Sequence, residues 1–236
     1  MRKIKRTHRG RLIIVFSVFL AAFALLLGFW WRASGPTHAT GPADVTLGSA
    51  DGSRRALEEL RVIEKGSESV PQYSRDQFGQ RWADVDRNGC DTRNDVLKRD
   101  LHDLQMKRSS PQCVVVSGVL DDPYTGRQID FQRGEDSSEV VQIDHVVALA
   151  NAWKSGAWQW DAVRRQDFAN DPFNLLAVDG AANQDKGASS ADQWLPSNSA
   201  YQCAYVQRQI AVKASWGLGV TRAEKKAMTS VLERCQ

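Results

Sequence analysis

The sequence predicts an α+β fold, and three observations support that class. Four short runs have the composition of β-strands: CVVVSGVL, RQIDFQ, VQIDHVV and NLLAV. Apolar residues at helical spacing lie before, between and after these runs. The 236 residues are 42% hydrophobic and 25% charged and include eight Trp, which is an ordinary globular composition with room for one good-sized domain.

The elements can be assigned in order along the chain. NDVLKRDLHDLQM predicts a helix, because its apolar residues at helical spacing are Val96, Leu97, Leu101 and Leu104. CVVVSGVL and RQIDFQ predict two strands that the turn-rich DDPYTG connects. The strand VQIDHVV, a helix near residues 160–168 and the strand NLLAV follow.

Two antiparallel helices are predicted at the C-terminus. AYQCAYVQRQIAVKAS has an apolar stripe at helical spacing, and TRAEKKAMTSVLERC begins with a capping box of Thr221 and Glu224. The turn WGLGV would fold the two helices about Gly219, which is equally far in sequence from Cys203 and Cys235. These two cysteines should therefore lie opposite each other and form a disulfide.

The two other cysteines, Cys90 and Cys113, then pair by elimination. A zinc site is the alternative use of four cysteines, but the chain contains no CxxC spacing. Two disulfides indicate that the domain folds outside the cytoplasm.

The N-terminal segment indicates the same location. Residues 12–31 form an uncharged apolar run of 20 residues behind six basic residues, which is long enough to span a membrane with the basic end in the cytoplasm. A secretory signal cut near Ala39 is the alternative, but the run is longer than a usual signal core, so a retained anchor is favoured. We expect a membrane anchor or signal segment in residues 1–32, a flexible linker in residues 33–70 and the extracytoplasmic folded domain in residues 71–236.

The formal charge of +3 comes from the N-terminal segment. Seven of the 31 basic residues and none of the 28 acidic residues lie in positions 1–32, so the rest of the chain has 24 basic against 28 acidic residues. Global charge therefore provides no nucleic-acid footprint, and attraction for a polyanion must come from a local patch or a bound cation.

Only two histidines, His102 and His145, lie within the predicted domain. His102 falls on the polar face of the first predicted helix and is interpreted as a solvated surface residue. A three-histidine zinc site is excluded, and a serine hydrolase arrangement lacks its Gly-x-Ser-x-Gly turn. His145 is thus the candidate general base, and the neighbouring Asp144 supplies a carboxylate for a metal ion.

The segment DPFNLLAVDGAANQDKG completes the candidate site. A strand, a turn and the start of a helix would return Asn183 to the end of the strand that carries Asp144. Carboxylate and amide oxygens suit Mg²⁺ or Mn²⁺ better than zinc. Such an ion would stabilise charge on a phosphate and help an alkoxide to leave.

These residues give the sequence its resemblance to a known family. IDHVVALANAWKSGAWQW, FANDPFNLLAV, NQDKG and QWLP resemble the motifs of HNH endonucleases with the ββα-metal fold, in particular the extracytoplasmic actinobacterial type. The likeness covers residues 73–235. It implies an HNH nuclease core with added helices, a C-terminal helical hairpin and two disulfides.

The resemblance also implies roles for five residues. His145 would be the general base, and Asp144 and Asn183 would be the metal ligands. Asn174 would hold the loop around the catalytic histidine, and Lys186 would face a phosphate. Asn183 stands where many relatives have histidine, which favours magnesium over zinc.

Several further basic side chains are candidate substrate ligands. They would line a phosphate groove, although scattered surface charge explains each of them equally well. These side chains are Arg127, Arg133, Lys154, Arg164 and Arg165.

The stretch WADVDRNGCDTRND has the spacing of a calcium-binding loop. Its candidate Ca²⁺ ligands are Asp84, Asp86, Asn88, Thr92 and Asp95. An ordinary structural loop is the alternative, because Asp replaces Glu at the last position and Cys90 ties the loop covalently.

Taken together, the sequence predicts a metal-dependent endonuclease that hydrolyses phosphodiester bonds with little sequence preference. DNA is the favoured substrate over RNA, and the membrane is a partner through the N-terminal segment if that segment is retained. The alternative is a catalytically inactive cell-envelope binding module that uses the same fold and is stabilised by calcium through the 84–95 loop.

Overall fold

The computed structural model describes residues 49–64, 69–108, 112–134 and 139–235. The predicted membrane anchor or signal segment, residues 1–32, lies outside the described residues. No helix within the described ranges is long and apolar enough to cross a membrane.

The described residues form a mixed arrangement of helices and strands, which confirms the α+β class. Seven α-helices occur in the described ranges: α1 Ala50–Glu59, α2 Thr92–Asp100, α3 Leu149–Lys154, α4 Ala162–Ala169, α5 Gly180–Lys186, α6 Gln202–Trp216 and α7 Arg222–Leu232. The strands are β1 Val62–Ile63, β2 Leu101–Met106, β3 Val115–Asp121, β4 Gln128–Gln132, β5 Val141–His145, β6 Leu175–Asp179 and β7 Val220–Thr221. Short 3₁₀ turns cover Arg75–Phe78, Ala157–Gln159 and Ser199–Tyr201.

The strands form three small sheets in the described part of the chain. β2, β3 and β4 make an antiparallel meander, β1 pairs with β7 in parallel, and β5 pairs with β6 in antiparallel. In the β5–β6 pair, Asp144 lies opposite Leu176 and His145 opposite Leu175. The candidate base therefore lies at the last residue of a buried strand.

Helix α5 follows β6 without an intervening loop, so β5, β6 and α5 form a ββα unit. The Asp179 side chain caps the helix by accepting a hydrogen bond from the amide of Ala182 at 2.8 Å. Gly180 is required at the first helical position, because a Cβ atom there would lie 1.9 Å from the carbonyl oxygen of Glu139. This close approach brings α5 back along β5.

Three apolar clusters hold these elements together. The first joins α1, α6 and α7 to one face of the β5–β6 pair through residues such as Leu57, Val178 and Met228. The second is rich in aromatic rings and surrounds α3 and α4. The third lies between α2, the β2–β4 meander and the other face of the β5–β6 pair. The ββα unit is therefore packed on both faces.

Both disulfides are present as predicted. Cys203 joins Cys235 with their Cα atoms 5.7 Å apart, and Cys90 joins Cys113 with their Cα atoms 5.1 Å apart. The C-terminal helical hairpin is also confirmed, and the hydroxyl of Thr221 accepts the amide hydrogen bond of Glu224 at 3.1 Å.

The helix predicted for residues 94–106 is wrong in its second half. Helix α2 ends at Asp100, and the next residues form β2, in which Leu101 pairs with Leu120 and His102 pairs with Val119. A register irregularity after His102 accounts for the helix-like spacing of Leu101 and Leu104 within a strand. His102 is exposed as expected, but on a strand, where its ring lies 2.9 Å from a carboxylate oxygen of Asp103.

Part of the range that was expected to be a flexible linker is folded. Within residues 33–70, α1 packs on α6 and α7 through Leu57, and β1 pairs with β7. The folded body therefore includes elements that precede the expected boundary at residue 71.

Candidate functional site

His145 is a buried histidine whose tautomer is set by one hydrogen bond. Its side chain is 7% exposed, and Nε2 lies 2.8 Å from the carbonyl oxygen of Ala169. A carbonyl oxygen can only accept, so Nε2 carries the hydrogen and Nδ1 of the neutral ring presents a lone pair. Burial lowers the pKa of His145 to about 3, with Arg75 contributing to the shift, so the ring is neutral at neutral pH.

Asn174 holds the chain that follows His145. Its side-chain oxygen accepts from the amide of Val147 at 2.8 Å, and its side-chain nitrogen donates to the carbonyl of the same residue at 3.2 Å. The carbonyl oxygen of Asn174 also accepts from the amide of Val146 at 2.8 Å. This buried side chain touches backbone, which is the geometry expected of a residue that positions the histidine.

Two more buried side chains hold the same backbone from other directions. Lys186 on α5 donates to the carbonyl oxygen of His145 at 2.9 Å, and Gln209 on α6 donates to the carbonyl oxygen of Val146 at 2.9 Å. Each carbonyl from His145 to Val147 therefore accepts a side-chain hydrogen bond. The strand end that carries His145 is fixed by α5, α6 and the turn before β6.

Asp144 lies on the opposite face of β5 from His145, because neighbouring residues of a strand point to opposite faces. One carboxylate oxygen accepts from the hydroxyl of Tyr124 at 2.5 Å, and the other accepts from the ammonium of Lys186 at 2.9 Å. Burial raises the pKa of Asp144, and the charge of Lys186 opposes that shift. The three side chains form a closed network in the core.

This network does not fit a divalent ion at Asp144. Both carboxylate oxygens already have donors, and a metal there would stand beside the buried ammonium of Lys186. The side chain of Asn183 donates to Gln142 at 2.8 Å. Across the described ranges, no group of three or more His, Cys, Asp or Glu side chains could hold a metal ion. Lys186, expected to face a phosphate, is fully buried and faces Asp144.

A narrow pocket lies beside His145. Trp82 lines this pocket, and its indole is nearly parallel to the imidazole of His145, with ring centroids 6.3 Å apart. Ala169 also lines the pocket, and its carbonyl oxygen accepts the hydrogen bond of His145. Polar side chains line the same pocket: Arg75, Gln80, Arg81 and Asn170. These residues were not singled out from the sequence, although RDQFGQRW and FANDP contain them.

Two buried polar atoms in this pocket have no hydrogen-bond partner among the described residues. They are Nε of Arg75 and the side-chain oxygen of Asn170. Arg81 is exposed. The pKa of Arg75 is lowered, first by its own burial and then by the nearby charge of Arg81. Unsatisfied buried donors and acceptors cost free energy, so these two atoms are candidate contacts for a bound ligand or water.

The loop that carries Arg81 and Trp82 has unusual backbone geometry. Trp82 has φ of 56° and Arg87 has φ of 58°, a conformation that L-residues other than glycine rarely adopt. Such conformations cost free energy and concentrate at functional sites. This cost accompanies the placement of the Trp82 ring beside His145.

The five basic residues expected to line a phosphate groove have other surroundings. Arg133 donates to the carbonyl of Val115 at 2.7 Å, Arg164 donates to that of Trp216 at 3.0 Å, and Arg165 donates to the carbonyls of Gln77 and Trp160. Arg127 pairs with Asp179 at 3.0 Å, and Lys154 is exposed at the end of α3. None of the five lines the described pocket beside His145.

The candidate calcium loop is closed by its own hydrogen bonds. The amide of Asn88 donates to Asp84 at 3.1 Å and to Asp86 at 3.2 Å, and the side chain of Asn88 donates to Asp86 at 3.0 Å and to Asp95 at 3.2 Å. Thr92 donates to the carbonyl of Ala83 at 2.5 Å. The side chain of Asn88 therefore lies among the carboxylates that would surround an ion.

The fold and the site define a disulfide-bonded α+β protein whose ββα unit carries a buried, neutral histidine beside an arginine-lined pocket. Residues 91–231 match the family described as GmrSD restriction endonucleases, C-terminal domain. The chain belongs to this family. It is also 39% identical over 201 residues to a protein of Arthroderma benhamiae named "Uncharacterized secreted protein", a match that covers 84% of this chain and 92% of the relative. No solved structure matches the chain.

Proposed function

We propose that this protein is an endonuclease of the HNH type that hydrolyses phosphodiester bonds, with DNA as the favoured substrate. The observation that carries the proposal is the neutral imidazole of His145 next to Trp82 and Ala169, which line a pocket that also contains Arg75 and Arg81. Membership of a family named for restriction endonucleases supports the same reaction. The order of β5, β6 and α5 supports the HNH type, with His145 at the end of β5, Asn174 in the turn just before β6 and Asn183 on α5.

The pocket provides two of the functions that this reaction needs. Nδ1 of His145 would accept the proton of a water molecule whose oxygen attacks phosphorus, while the bond from phosphorus to the leaving oxygen breaks. The leaving oxygen takes a proton from solvent water and departs as an alcohol, and His145 returns its proton to solvent. The guanidinium groups of Arg75 and Arg81 stabilise the negative charge that develops on the phosphate oxygens. Asn174, Lys186 and Gln209 hold the backbone that carries the base.

A divalent ion, Mg²⁺ or Mn²⁺, was expected at Asp144 and Asn183 from the sequence. In the proposed reaction the charge of the phosphate is met by the two arginines, because Asp144 is already bonded to Lys186 and Tyr124. An ion at Asp144 requires Lys186 to leave that carboxylate. The cleavage assay is therefore run with each ion and with a chelator.

We further propose that the protein works outside the cytoplasm. Two disulfides support this location, and the relative from Arthroderma benhamiae is named a secreted protein. The apolar run of residues 12–31 would serve as a retained anchor or as a cleaved signal. Mass analysis of the protein from membrane and medium fractions distinguishes these two outcomes.

The second candidate function is an inactive cell-envelope binding module. The complete pairing of Asp144 within the core favours it, because that carboxylate is used for stability in the described arrangement. The two functions make opposite predictions for cleavage of nucleic acid.

The test is a nicking assay on supercoiled plasmid with the full-length chain in Mg²⁺, Mn²⁺, Ca²⁺ or EDTA. We expect wild type to nick the plasmid and His145→Ala to lose at least about a hundredfold in rate, as is typical when a general base is removed. His102→Ala is the matched control, because His102 is an exposed histidine outside the pocket. No cleavage under any condition, or equal cleavage by His145→Ala, supports the binding module instead.

A further inference from the structure

A second cavity of about 260 Å³ shares Asn170 with the pocket beside His145. Its wall has an apolar part formed by Val85, Val96 and Pro172. Val85 is 39% exposed, which makes it one of three exposed large hydrophobic residues in the described part of the chain. An exposed apolar side chain in the wall of a cavity indicates a contact surface for a ligand with a flat apolar face.

The polar groups of this second cavity are mainly acceptors. Asp86 and Asp95 contribute carboxylates to the wall. The side chain of Asn88 already donates one hydrogen bond to each, at 3.0 and 3.2 Å, and a carboxylate has room for further donors. Arg99 also lines it, but its guanidinium donates to the carbonyls of Pro172 at 2.6 Å and Leu175 at 2.7 Å. The cavity therefore offers acceptors to a ligand with N–H groups and repels a phosphate.

The two cavities share Asn170 in their walls and have opposite net charge. The pocket beside His145 carries Arg75 and Arg81, and the second cavity carries Asp86 and Asp95. Asn170 is fully buried and lines both; its side-chain nitrogen donates to the carbonyl of Gln166 at 2.9 Å, and its oxygen has no partner among the described residues. A ligand that fits both cavities has an anionic end, an apolar ring and N–H donors.

We propose that the second cavity binds the base of the nucleotide whose phosphate lies beside His145, and that it prefers bases with an exocyclic amino group. Adenine and cytosine present such donors, and thymine does not. The flat face of the base would pack on Val85, Val96 and Pro172. This inference rests on the proposed function for the phosphate position, and it adds a base preference to that function.

The test is calorimetric titration of the full-length chain with dAMP, dCMP, dTMP and 2-deoxyribose 5-phosphate. We expect dAMP and dCMP to bind about tenfold more tightly than 2-deoxyribose 5-phosphate, the size of effect that base packing on protein surfaces typically produces, with dTMP between them. Val85→Trp should fill the cavity and remove this difference without changing the affinity for 2-deoxyribose 5-phosphate. Val163→Trp is the matched control, because Val163 is an exposed valine that lines neither cavity.

A second variant tests the base preference itself. Asp95→Asn replaces an acceptor by a side chain that also donates, so the ratio of dAMP to dTMP affinity should fall toward one. Equal binding of nucleotides and 2-deoxyribose 5-phosphate, or an unchanged difference in Val85→Trp, overturns the base site. If the base site is overturned in either way but the protein still nicks plasmid, the proposed function is retained. If none of the four ligands binds and the protein does not nick plasmid, the proposed function itself is overturned.

Discussion

The ammonium of Lys186 lies 2.9 Å from a carboxylate oxygen of Asp144, and both side chains are buried. The same ammonium donates to the carbonyl of His145 at 2.9 Å. One buried cation thus neutralises a core carboxylate and fixes the end of the strand that carries the candidate base. The sequence motif NQDKG therefore contributes a structural contact at the site.

Removal of one member of this pair should be strongly destabilising. Lys186→Met leaves an unpaired buried carboxylate, and we expect a loss of about 3–5 kcal/mol in the free energy of unfolding. Lys186→Met combined with Asp144→Leu should cost less than the sum of the single changes, because no buried charge is left unpaired. Urea unfolding measures both.

The exposed pair of Arg222 and Glu64 provides the control for this measurement. Its side chains are 78% and 55% exposed, so Arg222→Ala should leave the free energy of unfolding nearly unchanged. A loss in Lys186→Met as small as the loss in this control would show that the buried pair does not form.

Replacing an arginine of the pocket beside His145 should lower kcat/KM more than replacing an arginine of the phosphate groove that the sequence predicted. Arg81→Ala removes an exposed cation from the pocket, and we expect kcat/KM for oligonucleotide cleavage to fall about 10- to 100-fold. Arg127→Ala removes a cation that pairs with Asp179 and should change kcat/KM less than about threefold. Steady-state kinetics on both variants decides between the two surfaces, and equal losses would contradict the assignment of the pocket.

Gln209 should act as a positioning residue for His145. Gln209→Leu removes the donor to the carbonyl of Val146, so we expect kcat to fall about tenfold while KM changes little. Gln209→Glu tests rescue of shape without the amide donor and should resemble Gln209→Leu. A loss confined to thermal stability, with kcat unchanged at a temperature where the variant is folded, would restrict Gln209 to a structural role.

Both disulfides should contribute stability to the fold. They close loops with sequence separations of 23 and 32 residues, for which the chain-entropy estimate is about 3–4 kcal/mol each. Cys203→Ala with Cys235→Ala should therefore lower the urea midpoint clearly, and a reducing agent should lower the wild-type midpoint but not that of a variant lacking both bonds. Equal midpoints for oxidised and reduced wild type would contradict this account.

The candidate calcium loop can be tested separately from catalysis. The side-chain nitrogen of Asn88 already donates to Asp86 and Asp95, so we expect millimolar Ca²⁺ to leave the Tm of wild type unchanged. Differential scanning calorimetry with Ca²⁺ and with EDTA provides the measurement. A rise in Tm with Ca²⁺ that disappears in Asp84→Ala would establish the site instead.

The sequence predicted the elements whose signals are local. The strand that carries His145, the capping box of Thr221 and the pairing of Cys203 with Cys235 all follow from spacing within one or two segments. The exchange of helix for strand after Asp100 depends on pairing with β3, which local spacing does not contain. Tertiary pairing outweighed the local pattern there.

The site itself was only partly predictable for the same reason. Asp144 and Lys186 were recognised as polar residues near the base, but their mutual pairing depends on how α5 lies against β5. Arg75 and Arg81 lie far from His145 in sequence and reach it only through the folded 75–82 segment. Asn170 gave no separate signal, because its unpaired oxygen is a property of the packed turn after α4.

The bond between Cys203 and Cys235 has a consequence for the cell that makes this protein. It ties the ends of the hairpin formed by α6 and α7, and α6 carries the glutamine that holds the backbone next to His145. Such bonds form in oxidising compartments and not in the reducing cytosol. The chain therefore reaches its full stability only in an oxidising compartment, so the proposed nuclease would be weakest in the reducing cytosol where it is made and strongest outside it.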